Sequence, residues 1–203
     1  MEALAKLPPK IEIKIMLGVL AFVSLFTIIG IAAPVFTYSK DKSTASITLF
    51  HQKVCGGGSC STTKFSDMKD CSGITGKASG AAAFVIISML LSFACIGITA
   101  LEHLEKFTNQ MVIIGMYAVL SFTLMLSWAI ESSMFNSHCK GGKSYNAMDY
   151  KYAGGWVCVF LAWFFYTPMI VLVAAFKHRA KLMGGDQDNK GDTIQSPIKQ
   201  DEI

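Results

Sequence analysis

Four stretches of this chain carry no charged side chain: residues 15–39 (25 residues), 78–101 (24), 107–130 (24) and 152–176 (25). A helix rises ~1.5 Å per residue, so about 20 apolar residues cross a ~30 Å hydrocarbon core. Each stretch is long enough. Core helices of soluble proteins rarely reach this length, and four in succession exclude that reading. Backbone groups in lipid must be satisfied within the segment, so each stretch is expected to be a helix. The bulk composition agrees, with 52% hydrophobic and 16% charged residues. The first stretch is longer than a signal-peptide core and ends in Ala32-Ala33-Pro34, so it reads as a retained signal-anchor.

These runs divide the chain. A short lead of residues 1–14 precedes a first span (15–39). A large polar loop (40–77) leads to a second span (78–101). A short link (102–110) turns into a third span (111–131), and a smaller loop (132–151) precedes the fourth (152–176). A Gly-, Asp-, Asn- and Lys-rich tail (177–203) reads as disordered. Four spans put both termini on one side. Counting Lys and Arg does not choose the side. The two tails and the middle link hold nine, and the two larger loops hold the other nine. The cysteines do choose. Cys55, Cys60, Cys71 and Cys139 all lie in the two larger loops, as expected for disulfides in an oxidising compartment. Both termini are therefore placed in the cytosol and both loops outside. Four cysteines allow three connectivities, and these stay open.

The large loop starts with Ser46-Ile47-Thr48-Leu49-Phe50-His51-Gln52-Lys53-Val54-Cys55. Its β-branched and aromatic content reads as one strand, broken by Gly56-Gly57-Gly58. Phe65 and Met68 make a small apolar face further on. Tyr38, Tyr150, Tyr152 and Trp156 fall at span ends and read as interfacial anchors. Pro34, near the outer end of the first span, and Thr167-Pro168 in the fourth are candidate bends. Ser, Thr, Gly and Ala in the second and third spans fit close helix packing with interhelical hydrogen bonds.

Little in the sequence supports catalysis. Disulfide exchange favours Cys-x-x-Cys, and no such pair is present. His51, Cys55, Cys60 and His138-Cys139 offer zinc-binding atoms, but Cys55-x4-Cys60 with a glycine run outside the cell favours a structural disulfide. Ion pathways generally need charged groups inside the spans. None lies within the four runs, and Glu131 falls at a boundary. Cys95 and Cys158 read as small inert hydrophobes. No Asn-x-Ser/Thr sequon occurs. Lys177 to Lys181 reads as a stop-transfer flank that also suits anionic lipid. The terminal Gln200-Asp201-Glu202-Ile203 is a weak match to a strand-addition tail.

Ile47, Thr48, Leu49, Phe50, Lys53 and Cys55 follow the first-loop hallmark of the amastins, surface proteins of trypanosomatid parasites. With its four spans and cysteine-bearing first loop, the chain resembles that family within the claudin-like tetraspan superfamily. Tyr152-Ala153-Gly154-Gly155-Trp156 and Ala162-Trp163 are also similar to the family. Ser46 stands where the family has its first cysteine, His51 replaces a glycine, and one residue is missing before Cys55. The family's disulfide therefore does not carry over, and Cys55 is expected to pair with Cys60 or Cys71. The resemblance implies an all-α membrane protein with a small extracellular β-sheet, a claudin-like four-helix transmembrane bundle. The sheet would come mostly from the first loop, with one strand from the second.

The function expected is that of a non-enzymatic plasma-membrane tetraspan whose stapled outer loops make homotypic, partner-protein or lipid contacts. The alternative is an auxiliary or pore-forming subunit of a channel or transporter. A lipid- or thiol-directed enzyme is disfavoured, since no paired intramembrane His, Asp or Glu occurs. Expected partners are membrane lipids and other membrane proteins, in a homo- or hetero-oligomer. No cofactor, metal or nucleic acid is expected.

Overall fold

The computed structural model describes residues 9–40, 43–68, 71–104, 106, 109–138 and 142–188. Four long helices carry the chain: α1 (Pro9–Ala32), α2 (Ser72–His103), α3 (Gln110–Phe135) and α4 (Gly154–Asp188). All four are long and apolar enough to cross a membrane. Sequence neighbours pack against each other and α4 returns to α1, so the helices close a ring.

One periodicity explains why they pack. Buried positions recur at alternating steps of four and three. They are Ile74, Ala78, Ala81, Val85, Ser88, Ser92, Cys95 and Thr99 on α2. On α3 they are Ile113, Tyr117, Leu120, Leu124, Ser127, Glu131 and Met134. α1 repeats the pattern with Met16, Leu20, Val23, Thr27 and Gly30, and α4 with Gly155, Val159, Ala162 and Tyr166. A repeat averaging 3.5 residues keeps one stripe facing the partner and supports a gentle left-handed supercoil. The outward faces carry Leu25, Leu90, Phe122, Phe164 and Val171, all exposed. Apolar lipid tails suit such a surface, so packing and hydrogen bonds hold the helices together.

The remaining elements form one antiparallel sheet at one end of the ring. Its strands are β1 (Phe36–Lys40), β2 (Ser43–Ile47), β3 (His51–Gly56), β4 (Ser59–Lys64) and β5 (Lys151–Tyr152). The spatial order is β4-β3-β2-β1-β5, so β5 alone comes from the second loop, as expected. Phe36 pairs with Ile47 on one side and Tyr152 on the other. Phe36 and Ile47 are fully buried, so this corner seats the sheet on the bundle. Burying each contributes roughly 1.5–3 kcal/mol. Burial fades across the sheet, and all six residues of β4 are exposed.

Several boundaries differ from the sequence expectation. The single strand expected over residues 46–55 is two strands joined at Leu49-Phe50. Thr48 makes the turn: its amide donates to the His51 carbonyl at 2.9 Å. Its Oγ1 accepts from the amides of His51 (3.1 Å) and Phe50 (3.3 Å). A threonine hydroxyl can shape a turn where no Gly or Pro marks one. The first helix ends at Ala32, so Pro34 follows it rather than kinking it, and Tyr38 lies on β1. α2 starts at Ser72, six residues before the charge-free run. Lys77 sits inside it, donating to Ser133 Oγ and Ser137 Oγ, both at 2.7 Å. α3 runs on past Glu131 to Phe135, and α4 continues to Asp188, beyond the expected end at 176. Residues 1–8 and 189–203, including the terminal Ile203 tail, lie outside the described residues, as does Cys139.

Candidate functional site

The residues of the first-loop motif fall on β2, β3 and the turn between them. Ile47 is buried, Thr48 forms the turn, and Leu49 is buried beside it. Phe50 is left 47% exposed at the turn's tip. His51 Nδ1 lies 3.1 Å from Thr48 Oγ1, which ties its ring to the turn. Lys53 is exposed on β3. Cys55 bonds to Cys60, one of the pairings left open by the sequence. Gly57 and Gly58 both have positive φ, +59° and +85°. Two such residues make the turn that matches the twist of a β-hairpin. The disulfide thus clamps β3 to β4 one pair below that turn. Cys71 is also disulfide-bonded, to a partner outside the described residues.

The register of this hairpin fixes which backbone groups face outward. The Phe65 amide donates to the Phe50 carbonyl at 3.2 Å. Pairs alternate in an antiparallel ladder, so Gln52–Thr63 and Val54–Ser61 are hydrogen-bonded pairs. Cys60, Thr62 and Lys64 then point their own N–H and C=O groups away from β3. β4 is an edge strand with that row of groups free among the described residues.

The four aromatic anchor residues are brought together rather than spread along a rim. Tyr38 and Tyr150 rings lie 5.3 Å apart. Tyr152 stacks on Phe135 at 4.4 Å and meets Trp156 at 4.5 Å. Trp156 Nε1 donates to Ser132 Oγ at 3.0 Å, and its ring stacks on Phe160 at 5.2 Å. The cluster ties the sheet to α3 and α4. Tyr145, 4% exposed, packs against Phe36 within it, and burial pushes its phenol up to about 12. Burial also raises Tyr150, against a hydrogen bond with Gln52 that lowers it. Beside Tyr38 and Tyr150 the sheet borders a cleft of about 350 Å³, also lined by Ser43, Thr44, Lys143 and Asp149.

Beneath the sheet the seam carries interhelical hydrogen bonds of the kind the Ser and Thr of the second and third spans suggested, and they extend to the first and fourth. Ser24 and Ser92 oxygens lie 2.8 Å apart, joining α1 to α2. Ser88 donates to Thr123 at 2.9 Å, joining α2 to α3. Ser121 and Thr167 oxygens lie 2.8 Å apart, joining α3 to α4. Glu131 was expected at a boundary, yet it is fully buried in the α3 stripe. The four-three spacing from Ile113 to Met134 is the signal that places it there.

A model of the amastin surface glycoprotein family matches residues 20–173. The chain belongs to the amastin family. No curated protein matches it. The amastin match takes in α1 from Leu20, all of α2 and α3, α4 as far as residue 173 and the whole sheet, so the motif residues and the seam from Leu20 onward lie inside the matched span. This amastin is accordingly a surface membrane protein with a tetraspan bundle and a small antiparallel sheet.

Proposed function

We propose that this amastin is a non-enzymatic plasma-membrane tetraspan whose disulfide-clamped sheet lies outside the cell, with both termini in the cytosol. Its lipid-facing helices hold the sheet at the membrane, and β4 pairs edge to edge with β4 of a second copy. The free edge of β4 carries the proposal: six exposed residues with one charge among them. An exposed edge is a ready template for another strand, and natural proteins usually blunt it with charge or proline. Here only Lys64, at the end, carries charge.

Hydrogen-bond geometry selects the register. Outward groups belong to Cys60, Thr62 and Lys64, so an antiparallel self-pair must match even positions with even ones. The fullest overlap centres on Thr62, with Cys60 opposite Lys64 of the second copy. Each lysine then lies about 13 Å along the strand from the other copy's. Strands from two identical copies meet in this way about a two-fold axis, which gives a closed, isologous contact.

The test is oxidative cross-linking of the full chain at the cell surface. Residues facing each other in a hydrogen-bonded pair have Cα atoms about 5.5 Å apart, within disulfide range. Thr62→Cys is expected to give a covalent dimer, and Ser59→Cys at the turn a much weaker one. A chain that stays monomeric with a cysteine at each β4 position in turn would rule the contact out.

A further inference from the structure

Glu131 is a carboxyl group in a place where side chains of its stripe are otherwise neutral. It is 0% exposed, as are its stripe neighbours Leu124, Ser127 and Met134. Ala78, Ala81 and Val85, buried on the α2 stripe, are neutral as well. Its Oε1 lies 3.5 Å from Ser127 Oγ, and its Oε2 has no hydrogen-bond partner. Ser127 Oγ lies 3.4 Å from the Ala81 carbonyl as well. One hydroxyl proton therefore has two acceptors in reach. Trp128 Nε1, a further buried donor on the same helix, bonds to neither oxygen.

No opposite charge reaches this carboxyl from any packed element among the described residues. On α2 the nearby base is Lys77, held by Ser133 and Ser137. Its ammonium goes to these serine oxygens, and no bond joins it to Glu131. The sheet-side half of α4 offers only Cys158, a free thiol, and that of α1 offers no ionisable group. The loops above contribute the phenols Tyr38, Tyr145, Tyr150 and Tyr152, the surface cations Lys143 and Lys151, and Asp149 and His138. None of these bonds to Glu131.

We propose that Glu131 is a proton-binding site in the α2–α3 seam, occupied at neutral pH and emptied only as the seam beneath the sheet loosens. An ionised carboxylate here would have at most one donor and no counter-ion, an arrangement that a buried seam strongly disfavours. The neutral acid fits the geometry. Its O–H donates to Ser127 Oγ, and the Ser127 proton goes to the Ala81 carbonyl, so these two hydroxyls each have an acceptor. The proton leaves to water at the sheet end of the bundle. This site is independent of the β4 contact, and each can fail without the other.

The sign follows from linkage. On this proposal the opening seam releases the Glu131 proton to water, so stability falls as pH rises. The full chain in lipid nanodiscs is melted between about pH 5 and about pH 9, below the tyrosine range. The wild type is expected to melt progressively lower as pH rises, and Glu131→Gln to change much less. Infrared spectra at neutral pH should show a protonated carboxyl C=O band that E131Q lacks and Ser127→Ala displaces. A wild-type chain without that band, or one whose melting does not fall with pH, overturns the proposal even if the variants do not fold. An E131Q chain that retains the band overturns it too.

Discussion

The amide of Gly155 donates to the carbonyl of Pro34 at 2.7 Å, which brings the first turn of α4 onto the chain leaving α1. A Cβ on Gly155 would stand 2.7 Å from the Ala33 carbonyl oxygen and 2.9 Å from that of Pro34. Both obstacles are backbone, so relief requires the α1–β1 junction to move. Gly155→Ala is expected to lower thermal stability by about 1–3 kcal/mol, the usual range for overpacking. Gly30 makes a useful contrast. Its added Cβ would meet Val159 Cγ2 at 2.6 Å, a side chain that can be shortened. Gly30→Ala should be rescued by Val159→Ala, whereas Gly155→Ala should not. Melting of the four variants in detergent measures both.

The helices were legible from absent charge, but their ends were not. Phe36, Thr37, Tyr38 and Ser39 are uncharged, and that suits a span and a strand equally. Only the pairing of Phe36 with Ile47 and Tyr152, far along the chain, decides for the strand. Lys77 and Glu131 ended two apparent runs because each is charged. Both lie within helices, Lys77 because two oxygens of Ser133 on α3 and one of Ser137 just past its end receive it, and Glu131 because it occupies a stripe position. In the motif, the β-branched run through Ile47 and Thr48 hid a turn made by a hydroxyl. The glycine run was legible as a break, and only the positive φ at Gly57 and Gly58 shows that it closes a hairpin. The seam was present in the sequence as a four-three spacing, obscured by apolar residues on the lipid-facing sides.

Ser88 and Thr123 give a measure of what that seam contributes. Both are buried, and Ser88 Oγ donates to Thr123 Oγ1 at 2.9 Å. Thr123 passes its own proton to the Leu120 carbonyl at 3.0 Å. Ser88→Ala leaves Thr123 with that bond, so the single loss should be small. Interhelical hydrogen bonds in lipid average about 0.6 kcal/mol by double-mutant cycles. A Ser88→Ala/Thr123→Val cycle is expected to give a coupling of that order. A coupling several times larger would mean that the hydroxyls act as one cooperative network.

Tyr145 ties the second loop to the buried corner of the sheet, and its titration should report on that contact. Burial holds its phenol up to about 12, against an ordinary value of 10. The folded state therefore keeps the proton longer than the unfolded state does. Stability from this group is full below pH ~10 and is lost as pH rises towards ~12, on the order of 2 kcal/mol in all. Tyr145→Phe should remove that part of the alkaline loss while keeping the ring against Phe36. Absorbance of tyrosinate during a pH titration follows the group directly.

The cysteines lead to a prediction about the link between the two loops. Cys55 and Cys60 bond to each other, Cys95 and Cys158 are free, and Cys71 is bonded to a partner outside the described residues. The sixth cysteine of the sequence, Cys139, lies outside the described residues. A peptide map under non-reducing conditions is expected to join Cys71 to Cys139. The chain-entropy estimate separates the two bridges. A loop as short as Cys55–Cys60 contributes about 2 kcal/mol, and one spanning both loops about 4 kcal/mol, as upper figures for helices held in a bilayer. Cys71→Ser should therefore cost more thermal stability than Cys60→Ser, and should loosen β5 from β1 while leaving the β3–β4 hairpin paired. Hydrogen exchange of the Thr37 and Val54 amides distinguishes the two effects, and a Cys71→Ser chain that keeps full protection at both would sever the link argued between the bridge and the sheet's seat.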